Sequence, residues 1–390
     1  MRLIPLLAMI PTLASAQVEQ GPANADFAPA FEAQTRAPAL PETAVTVTRF
    51  AEGLDTPWGI AALPDGGYLV TERSGALRRV GPDGAVSEPI SGVPEVDARR
   101  QGGLLDVVVG PDFETDRRVW ITYAKRVRGG TVTAAATGTL SADGTLLEDM
   151  REIFEQSPPS PNPMHFGSRI VLDPGGENAF ITLGEHFTPQ ERVLAQDLGT
   201  TYGKVVRVDA LDGAPPADNP FSGQDSLGSI WSYGHRNPQG AALDGAGQLW
   251  VLEHGPRGGD ELNRIEPGVN YGWPVISYGI NYNGSDVGGG IAVAEGMAQP
   301  VYYWDPVIAP GGLTFYDGDA FDWEGDALAS GLVAQSLVRL RIEDGQVVGE
   351  ERIAEGVGRV RDVEVAGDGS VLILIDAPAP FGEILRLTPQ

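Results

Sequence analysis

The chain has 390 residues, with 53 acidic and 27 basic side chains, a formal net charge of −26 and no cysteine. A nucleic-acid partner is excluded because binding to a phosphate backbone needs clustered Lys and Arg. The acidity mainly favours solubility. Without disulfides, the fold must be stabilised by a large hydrophobic core.

The first 16 residues predict a signal peptide. Arg2 precedes an apolar run that ends in Ala-Ser-Ala at 14–16, which is typical of a secretory signal with a small-residue cleavage site. The alternative is a buried or membrane-anchoring helix, but neither this run nor any later stretch is long enough to span a bilayer. We expect a periplasmic or secreted protein with no membrane span, whose mature chain starts near Gln17.

Residues 17–42, called the lead segment below, are rich in Ala, Pro and Glu and have no helical or strand period. This composition predicts a flexible lead segment. The folded domain is expected to span residues 43–390.

From residue 43 onward, short β-branched runs alternate with Gly, Pro, Asp and Asn, and long amphipathic helices are absent from the pattern. Six segments share the order strand, Asp-Gly type turn, strand, which is expected at the inner half of a propeller blade. They lie at 58–71, 103–112, 168–174, 240–251, 312–319 and 361–374. We predict an all-β fold, a six-bladed β-propeller. A β-sandwich is the alternative, since it also has short strands separated by turns, but the repeated hairpins favour the propeller.

The two ends of the folded domain are predicted to pair. Residues 46–50 precede the first repeat and residues 383–387 follow the last, and both read as strands. Their pairing would close the ring and remove exposed sheet edges.

Two polar clusters flank a predicted strand at 248–252. The residues before it are Arg236, Asn237 and Gln239, and those after it are Gly255, Pro256, Asp260 and Glu261. The second cluster offers backbone carbonyls and carboxylates, which are the oxygen ligands that calcium prefers. The alternative is a Gly-rich turn with solvated acids.

His165 lies directly before a predicted strand, where a histidine is a natural general base. His235 and His254 lie beside the polar clusters and either orient loops or only satisfy neighbouring hydrogen bonds. The sequence has no zinc-type histidine pair, no Gly-x-Ser-x-Gly elbow and no dinucleotide fingerprint between a strand and a helix.

Eight motifs in order resemble the soluble sugar dehydrogenases that depend on pyrroloquinoline quinone (PQQ), particularly the bacterial aldose sugar dehydrogenase branch. The resemblance covers about residues 54–387. The motifs are Pro-Trp-Gly at 57–59, Gln-Gly-Gly-Leu-Leu-Asp-Val at 101–107, His-Phe-Gly-Ser-Arg at 165–169, Gly-Lys-Val at 203–205, Gly-His-Arg-Asn-Pro-Gln-Gly at 234–240, Glu-His-Gly-Pro at 253–256, Asn-Tyr-Gly-Trp-Pro at 270–274 and Arg-Val-Arg-Asp at 359–362.

The resemblance implies a six-bladed propeller with PQQ across its top face. It implies that His165 is the base that takes the proton from the anomeric hydroxyl of an aldose, while hydride moves to the quinone and a lactone forms. Gln101 matches a glutamine that contacts the cofactor near this base. The expected partners are the sugar and an unidentified electron acceptor, and the chain is expected to be a monomer or a dimer.

The resemblance also assigns binding roles. Arg236 and Asn237 match cofactor-contacting residues, and Arg236 also has a catalytic role because it stabilises negative charge on the quinone oxygen. Gln239 is expected beside the cofactor or calcium, and Arg359 and Arg361 match arginines that reach the cofactor carboxylates.

Calcium is implied at two places. The carbonyls of Gly255 and Pro256 match those that hold the calcium bound to the quinone, and Glu261 and Tyr271 resemble ligands of a second, structural calcium. The residues expected to form walls of the cofactor pocket are Tyr282 and Trp304.

Two positions depart from the pattern of this family. Val333 stands where the glucose-oxidising branch has a lysine that faces the quinone carboxylates, so cofactor retention is expected to depend more on Arg359 and Arg361. Glu185 stands where the family usually has an aspartate, which leaves the role of that position open.

Two other functions remain as alternatives. One is a calcium-dependent lactonase, which has no need for arginines that converge on a tricarboxylate. The other is a noncatalytic binding propeller that keeps the shape of the family.

Overall fold

A computed structural model of the chain describes residues 17–224 and 226–390, so the predicted signal peptide lies outside the described residues. Within them the structure is almost entirely β, as predicted, and no helix is long and apolar enough to cross a membrane. The helical segments found there are single turns at Glu32–Gln34, Phe113–Asp116, Pro189–Arg192 and Val193–Gln196.

The strands form six antiparallel sheets, which are the blades of a propeller. The strand β1 is Val45–Leu54. Blade one contains β2 (Pro57–Ala62), β3 (Tyr68–Glu72) and β4 (Leu77–Val80). Blade two contains β5 (Leu104–Val109), β6 (Arg118–Val127), β7 (Gly130–Leu140) and β8 (Leu147–Glu155). Blade three contains β9 (Gly167–Leu172), β10 (Asn178–Leu183), β11 (Lys204–Asp209) and β12 (Ile230–Tyr233).

The remaining blades follow the same order along the chain. Blade four contains β13 (Pro238–Leu243), β14 (Leu249–Glu253), β15 (Asp260–Arg264) and β16 (Tyr302–Trp304). Blade five contains β17 (Pro310–Phe315), β18 (Ala327–Gly331), β19 (Ser336–Glu343) and β20 (Gln346–Ile353). Blade six contains β21 (Val360–Val365), β22 (Val371–Ile375), β23 (Gly382–Pro389) and, at its outer edge, β1.

The predicted closure of the ring is confirmed. The strand β1 pairs antiparallel with β23, and Thr48 lies opposite Arg386. The first strands of the six blades contact one another in a closed circle, from β2 through β5, β9, β13, β17 and β21 back to β2. Pairing the two ends of the domain within one blade therefore holds the circle shut.

Hydrophobic clusters fill the spaces between neighbouring blades. One joins blades one and two around Leu69, Leu104 and Ile121, and another joins blades four and five around Leu252 and Leu313. These aliphatic side chains alternate along the strands, so each sheet buries both of its faces. The core that replaces disulfides is thus distributed around the ring.

Every blade has a register shift where its first strand pairs with its second. The extra residues of these bulges include Arg169 in blade three, Gln239 in blade four and Arg361 in blade six. A bulge re-aims a side chain that would otherwise follow the alternation of the strand. The bulges therefore explain how polar residues of inner strands reach the axis and the site.

Arg169 forms a buried ion cluster on the axis. Its Nη1 donates to Asp106 Oδ1 at 2.7 Å and to Asp362 Oδ2 at 3.0 Å, and its Nε donates to the carbonyl of Gln239 at 3.0 Å. The guanidinium also lies 4.6 Å from the centre of the Trp58 ring. Burial disfavours the charge of Arg169, but the two carboxylates outweigh it and raise its pKa.

The lead segment was expected to be flexible, but it packs against blades four and five. Gln34 is buried and its Nε2 donates to the carbonyl of Pro300 at 3.0 Å. Ala39 forms a parallel bridge with Glu350 of β20. These partners lie hundreds of residues away in the chain, so local composition gave no sign of them.

We expect Arg169→Met to destabilise the protein by about 3–5 kcal/mol, because it leaves Asp106 and Asp362 buried without a counter-charge. Urea denaturation would measure the loss. The control is Arg79→Met, which breaks a 2.6 Å ion pair with Asp65 that water can reach, and it should cost less than about 1 kcal/mol. Equal losses in the two variants would contradict the importance of the axial cluster.

Candidate active site

His165 lies in the loop before β9, at the mouth of blade three, and is buried. Its backbone has a φ of +49°, in the left-handed region. Its backbone N–H donates to Oε1 of Gln101 at 2.8 Å, and its Nδ1 lies 3.1 Å from Oε1 of Glu185. Because an ionised carboxylate can only accept, this contact assigns the hydrogen to Nδ1 and leaves a free lone pair on Nε2.

The protonation of this pair follows from its surroundings. Burial lowers the pKa of His165, Glu185 opposes that change and the charge of Arg236 adds to it, so the pKa lies below its usual value. Burial alone would raise the pKa of Glu185, but His165 and Arg236 stabilise the carboxylate and the pKa is lowered. At neutral pH the pair is therefore a neutral imidazole beside a carboxylate, which is a competent base.

Glu185 also shapes the rim of the site. Its Oε2 accepts the N–H of Phe187. Phe187 and the preceding His186 both have a positive φ. The Phe187 ring lies edge-on to His165 with centroids 5.1 Å apart, and Tyr282 stacks on Phe187 at 6.3 Å. Tyr282 is 62% exposed, so the structure places this expected wall residue at the open edge of the site.

Arg236 and Asn237 lie in the loop between β12 and β13. Arg236 Nη1 donates to the carbonyls of His254 at 3.0 Å and Gly255 at 2.6 Å, and its guanidinium lies 5.2 Å from the centre of the Trp273 ring. Asn237 Oδ1 accepts the N–H of Gly167 at 3.1 Å. The loop thus links the histidine segment of blade three to the loop after β14.

The bulged residues of blades four and six meet. Arg361 Nη1 donates to Gln239 Oε1 at 2.9 Å, and the same oxygen lies 3.0 Å from Nε2 of His254. Arg359 is half-exposed and its Nε donates to Asp376 Oδ2 at 3.3 Å. Burial lowers the pKa of Arg361 to about 10; Asp376 opposes this change, and Arg359 adds to it.

The positive charges of Arg236, Arg359 and Arg361 act on one region, around His254. Burial lowers the pKa of His254 well below its usual value, and the charges of Arg361, Arg236 and Arg359 lower it further. The Nε atoms of Arg236 and Arg361 are buried and have no hydrogen-bond partner among residues 17–224 and 226–390. Buried donors are nearly always paired, so the region is suited to an anionic group.

The other histidine of the polar clusters supports the fold. His235 is buried, its Nδ1 lies 2.9 Å from Glu253 Oε1, and its Nε2 lies 2.9 Å from the hydroxyl of Ser232. Both ring nitrogens are therefore satisfied by neighbours.

The loop between β14 and β15 carries the carbonyls of Gly255 and Pro256. Asp260 fixes this loop, since Oδ1 accepts the N–H of Gly255 at 2.8 Å and Oδ2 accepts that of Ala309 at 2.7 Å. One carboxylate oxygen of Asp260 thus holds the loop, and the other connects it to the segment before β17. Within the described residues there is no cluster of three or more His, Cys, Asp or Glu that could hold a metal ion.

A small hole of about 10 Å³ lies beside this loop, bordered by Glu253, Gly255, Pro256, Glu261 and Tyr271, and a single water or ion is of this scale. Burial raises the pKa of Glu261 well above its usual value, and the neighbouring Glu253 adds to the shift. The hydroxyl of Tyr271 points elsewhere, since it donates to the carbonyl of Arg264 at 2.6 Å.

Arg73 was not singled out by the sequence analysis. It follows β3 directly, is mostly buried, and its charge contributes to the lowered pKa of Arg361. His254 and Asp376 occupy the equivalent position, directly after the second strand of their blades, and Glu185 lies one residue further along in its blade. That shared position in the repeat could have identified Arg73.

The sequence and structure were compared with known proteins. The family described as Glucose / Sorbosone dehydrogenase matches residues 54–386. The chain is 41% identical over 359 residues to aldose sugar dehydrogenase YliI of Escherichia coli (strain K12), which covers 90% of this chain and 95% of that protein.

Two solved structures are similar to the whole domain. The apo form of the soluble aldose sugar dehydrogenase from Escherichia coli has a TM-score of 0.83 and 39% identity, over 89% of this chain and 100% of that chain. The PQQ-bound form of aldose sugar dehydrogenase from Streptomyces coelicolor has a TM-score of 0.74 and 28% identity, over 90% of this chain and 100% of that chain.

This chain belongs to the glucose / sorbosone dehydrogenase family. Within this member of the family, Trp304 is not a pocket wall as expected. It lies in β16, the outer strand of blade four, and its ring is buried in the core between blades four and five. Its Nε1 donates to Glu350 Oε2 at 3.3 Å. The fourth strand of a blade is far from the axis, and that is why its side chain does not reach the site.

Val333 lies in the turn between β18 and β19 and is 56% exposed. Like Glu185 in blade three of this family member, it lies two residues after the second strand of its blade. Blade five therefore contributes an uncharged side chain where blade three contributes Glu185.

Proposed function

We propose that the chain is an exported, PQQ- and calcium-dependent aldose dehydrogenase that oxidises the anomeric carbon of its substrate to a lactone. The observation that carries the proposal is the buried pair of His165 and Glu185 beside the cationic region of Arg236 and Arg361. Relatives named aldose sugar dehydrogenase, one of them PQQ-bound, support the choice of substrate and cofactor.

The residues present fit a group with several carboxylates. The unpaired Nε atoms of Arg236 and Arg361 offer donors that need acceptors, and half-exposed Arg359 adds a third planar fork. Asn237 and Gln239 add amide groups on the same side. We therefore assign the binding of PQQ to these five residues, with Gln101 beside His165.

Bound PQQ would supply the two-electron acceptor for the hydride of the sugar. His165 would accept the proton of the anomeric hydroxyl on Nε2, because Nδ1 is held by Glu185. Glu185 would keep the ring in place and stabilise the imidazolium that forms. Arg236 would favour negative charge that develops in the pocket, since its own charge is fixed before the reaction.

Calcium is assigned to oxygen ligands of the loop after β14. The carbonyl of Gly255 already accepts from Arg236 and keeps a second lone pair, and Pro256 adds another carbonyl. A second calcium is assigned beside Glu261 and the backbone of Tyr271, at the small hole near Glu253. A divalent cation there would offset the repulsion between the two buried carboxylates.

The decisive test of this function is aldose-dependent dye reduction by purified protein mixed with PQQ and calcium. We expect activity in the wild type and a loss of about 10²–10⁴-fold in kcat/KM for His165→Ala, since the variant lacks the general base. Quinone binding followed by absorbance shows whether the variant is folded. Full activity of the variant, or turnover of lactones without quinone, would be evidence against the proposal.

The role of Glu185 predicts a change in the pH profile. His165 acts as a base only when neutral, so activity is lost as pH falls through its pKa. Because Glu185 raises that pKa against the effect of burial, Glu185→Gln should move the acid limb of kcat/KM to lower pH and also reduce kcat. Glu185→Asp keeps a carboxylate, so its acid limb should lie closer to that of the wild type than the acid limb of Glu185→Gln does. An unmoved acid limb in Glu185→Gln would refute this role.

Calcium should raise the melting temperature of the protein, and a chelator should reverse the effect. At a free calcium concentration of 100 times Kd, binding would stabilise the folded protein by about 2.7 kcal/mol. Glu261→Gln should reduce the calcium effect, yet without calcium it should be at least as stable as the wild type, because burial and Glu253 oppose the charge of Glu261. Magnesium is the control ion. A wild type that does not respond to calcium would disprove the assignment.

A further inference from the structure

The lead segment reaches the back of the candidate cofactor site through Asn24. The buried carboxylate of Asp305 accepts from the N–H of Asn24 at 2.9 Å, from its Nδ2 at 2.8 Å and from the N–H of Ala25 at 2.9 Å. Arg36 Nη2 donates to the carbonyls of Gly21 and Asp305, both at 2.9 Å. The segment therefore encloses Asp305, which follows directly after β16.

Asn24 also holds the loop that carries Gly255 and Pro256. Its Oδ1 accepts from Arg257 Nε at 3.0 Å, and Arg257 is the next residue of that loop after Pro256. One amide side chain thus donates to Asp305 and accepts from Arg257. Both of its functional groups are used, so it bridges blade four and the loop.

The loop rests directly on Asp305. Gly258 has a φ of +88°, and a Cβ placed on it would lie 2.7 Å from Oδ1 of Asp305. The N–H of Gly259 donates to the carbonyl of Trp304 at 2.8 Å, and the N–H of Arg257 donates to the carbonyl of Ile280 at 2.9 Å. Asn24 therefore joins the lead segment to a loop that also bonds to the propeller.

We propose that the lead segment is a positioning element of the site, and that Asn24 sets the placement of the Gly255 and Pro256 carbonyls by holding Arg257 and Asp305. The inference rests on the proposed function in assigning those carbonyls to calcium and the quinone. Groups that hold metal ligands in place typically affect metal affinity by about 10–100-fold. The lead segment adds this support without contributing a ligand.

The test compares Asn24→Ala with Gln20→Ala. Gln20 is the matched control, because it is an amide of the same segment that instead donates to Glu350 of β20 at 3.2 Å. Hydrogen exchange is measured across residues 254–262 without cofactor, and PQQ affinity is measured by absorbance in the presence of calcium.

We expect Asn24→Ala to speed exchange at the amides of Arg257 and Gly259 and to weaken PQQ binding by about 10-fold or more. Gln20→Ala should change neither. Unchanged exchange in Asn24→Ala, or equal acceleration in both variants, would overturn the inference. If wild-type protein binds no quinone, the proposed function fails, while the exchange comparison still decides whether Asn24 positions the loop.

Discussion

The placement of Arg169 between Asp106 and Asp362 is the constraint on which the rest of the molecule depends. The three charges join blades two, three and six at the axis, the carbonyl of Gln239 adds blade four, and the ring of Trp58 adds blade one. Buried charges are tolerated only when their partners are well placed, so this cluster fixes the relative positions of five inner strands. Five of the eight sequence motifs contribute to it, which means that much of their pattern serves the scaffold.

The site is built directly on this axial layer. His165 precedes Arg169 by four residues, and Arg361 is the neighbour of Asp362. The bulges at Arg169 and Arg361 therefore position residues of both the axial cluster and the candidate site. The bonds from Arg361 to Gln239 and from Gly167 to Asn237 then connect blades across the top face. Such a site is held by strands rather than by loops alone, which suits chemistry that needs fixed distances.

A second layer comes from residues that follow the second strands of blades one, three, four and six. In this layer, Oε1 of Glu185 lies 3.1 Å from Nδ1 of His165. Its second oxygen accepts the N–H of Phe187, so His165 and the aromatic rim share one anchor. The lead segment extends the same principle outward, because it supports the loop of Gly255 and Pro256 from behind.

The sequence by itself determined the class of fold, the six repeats and the pairing of residues 46–50 with 383–387, because alternating strands and Asp-Gly turns are local signals. It also singled out His165, Gln101, Arg236, Gln239 and Arg361 as candidate site residues, through motifs that resemble those of a known family. Only the tertiary structure decided which of these residues meet, since the bonds between them cross blades. It removed Trp304 from the site, gave Glu185 a partner and packed the lead segment against the propeller. Those outcomes depend on contacts between distant parts of the chain, and no local pattern records them.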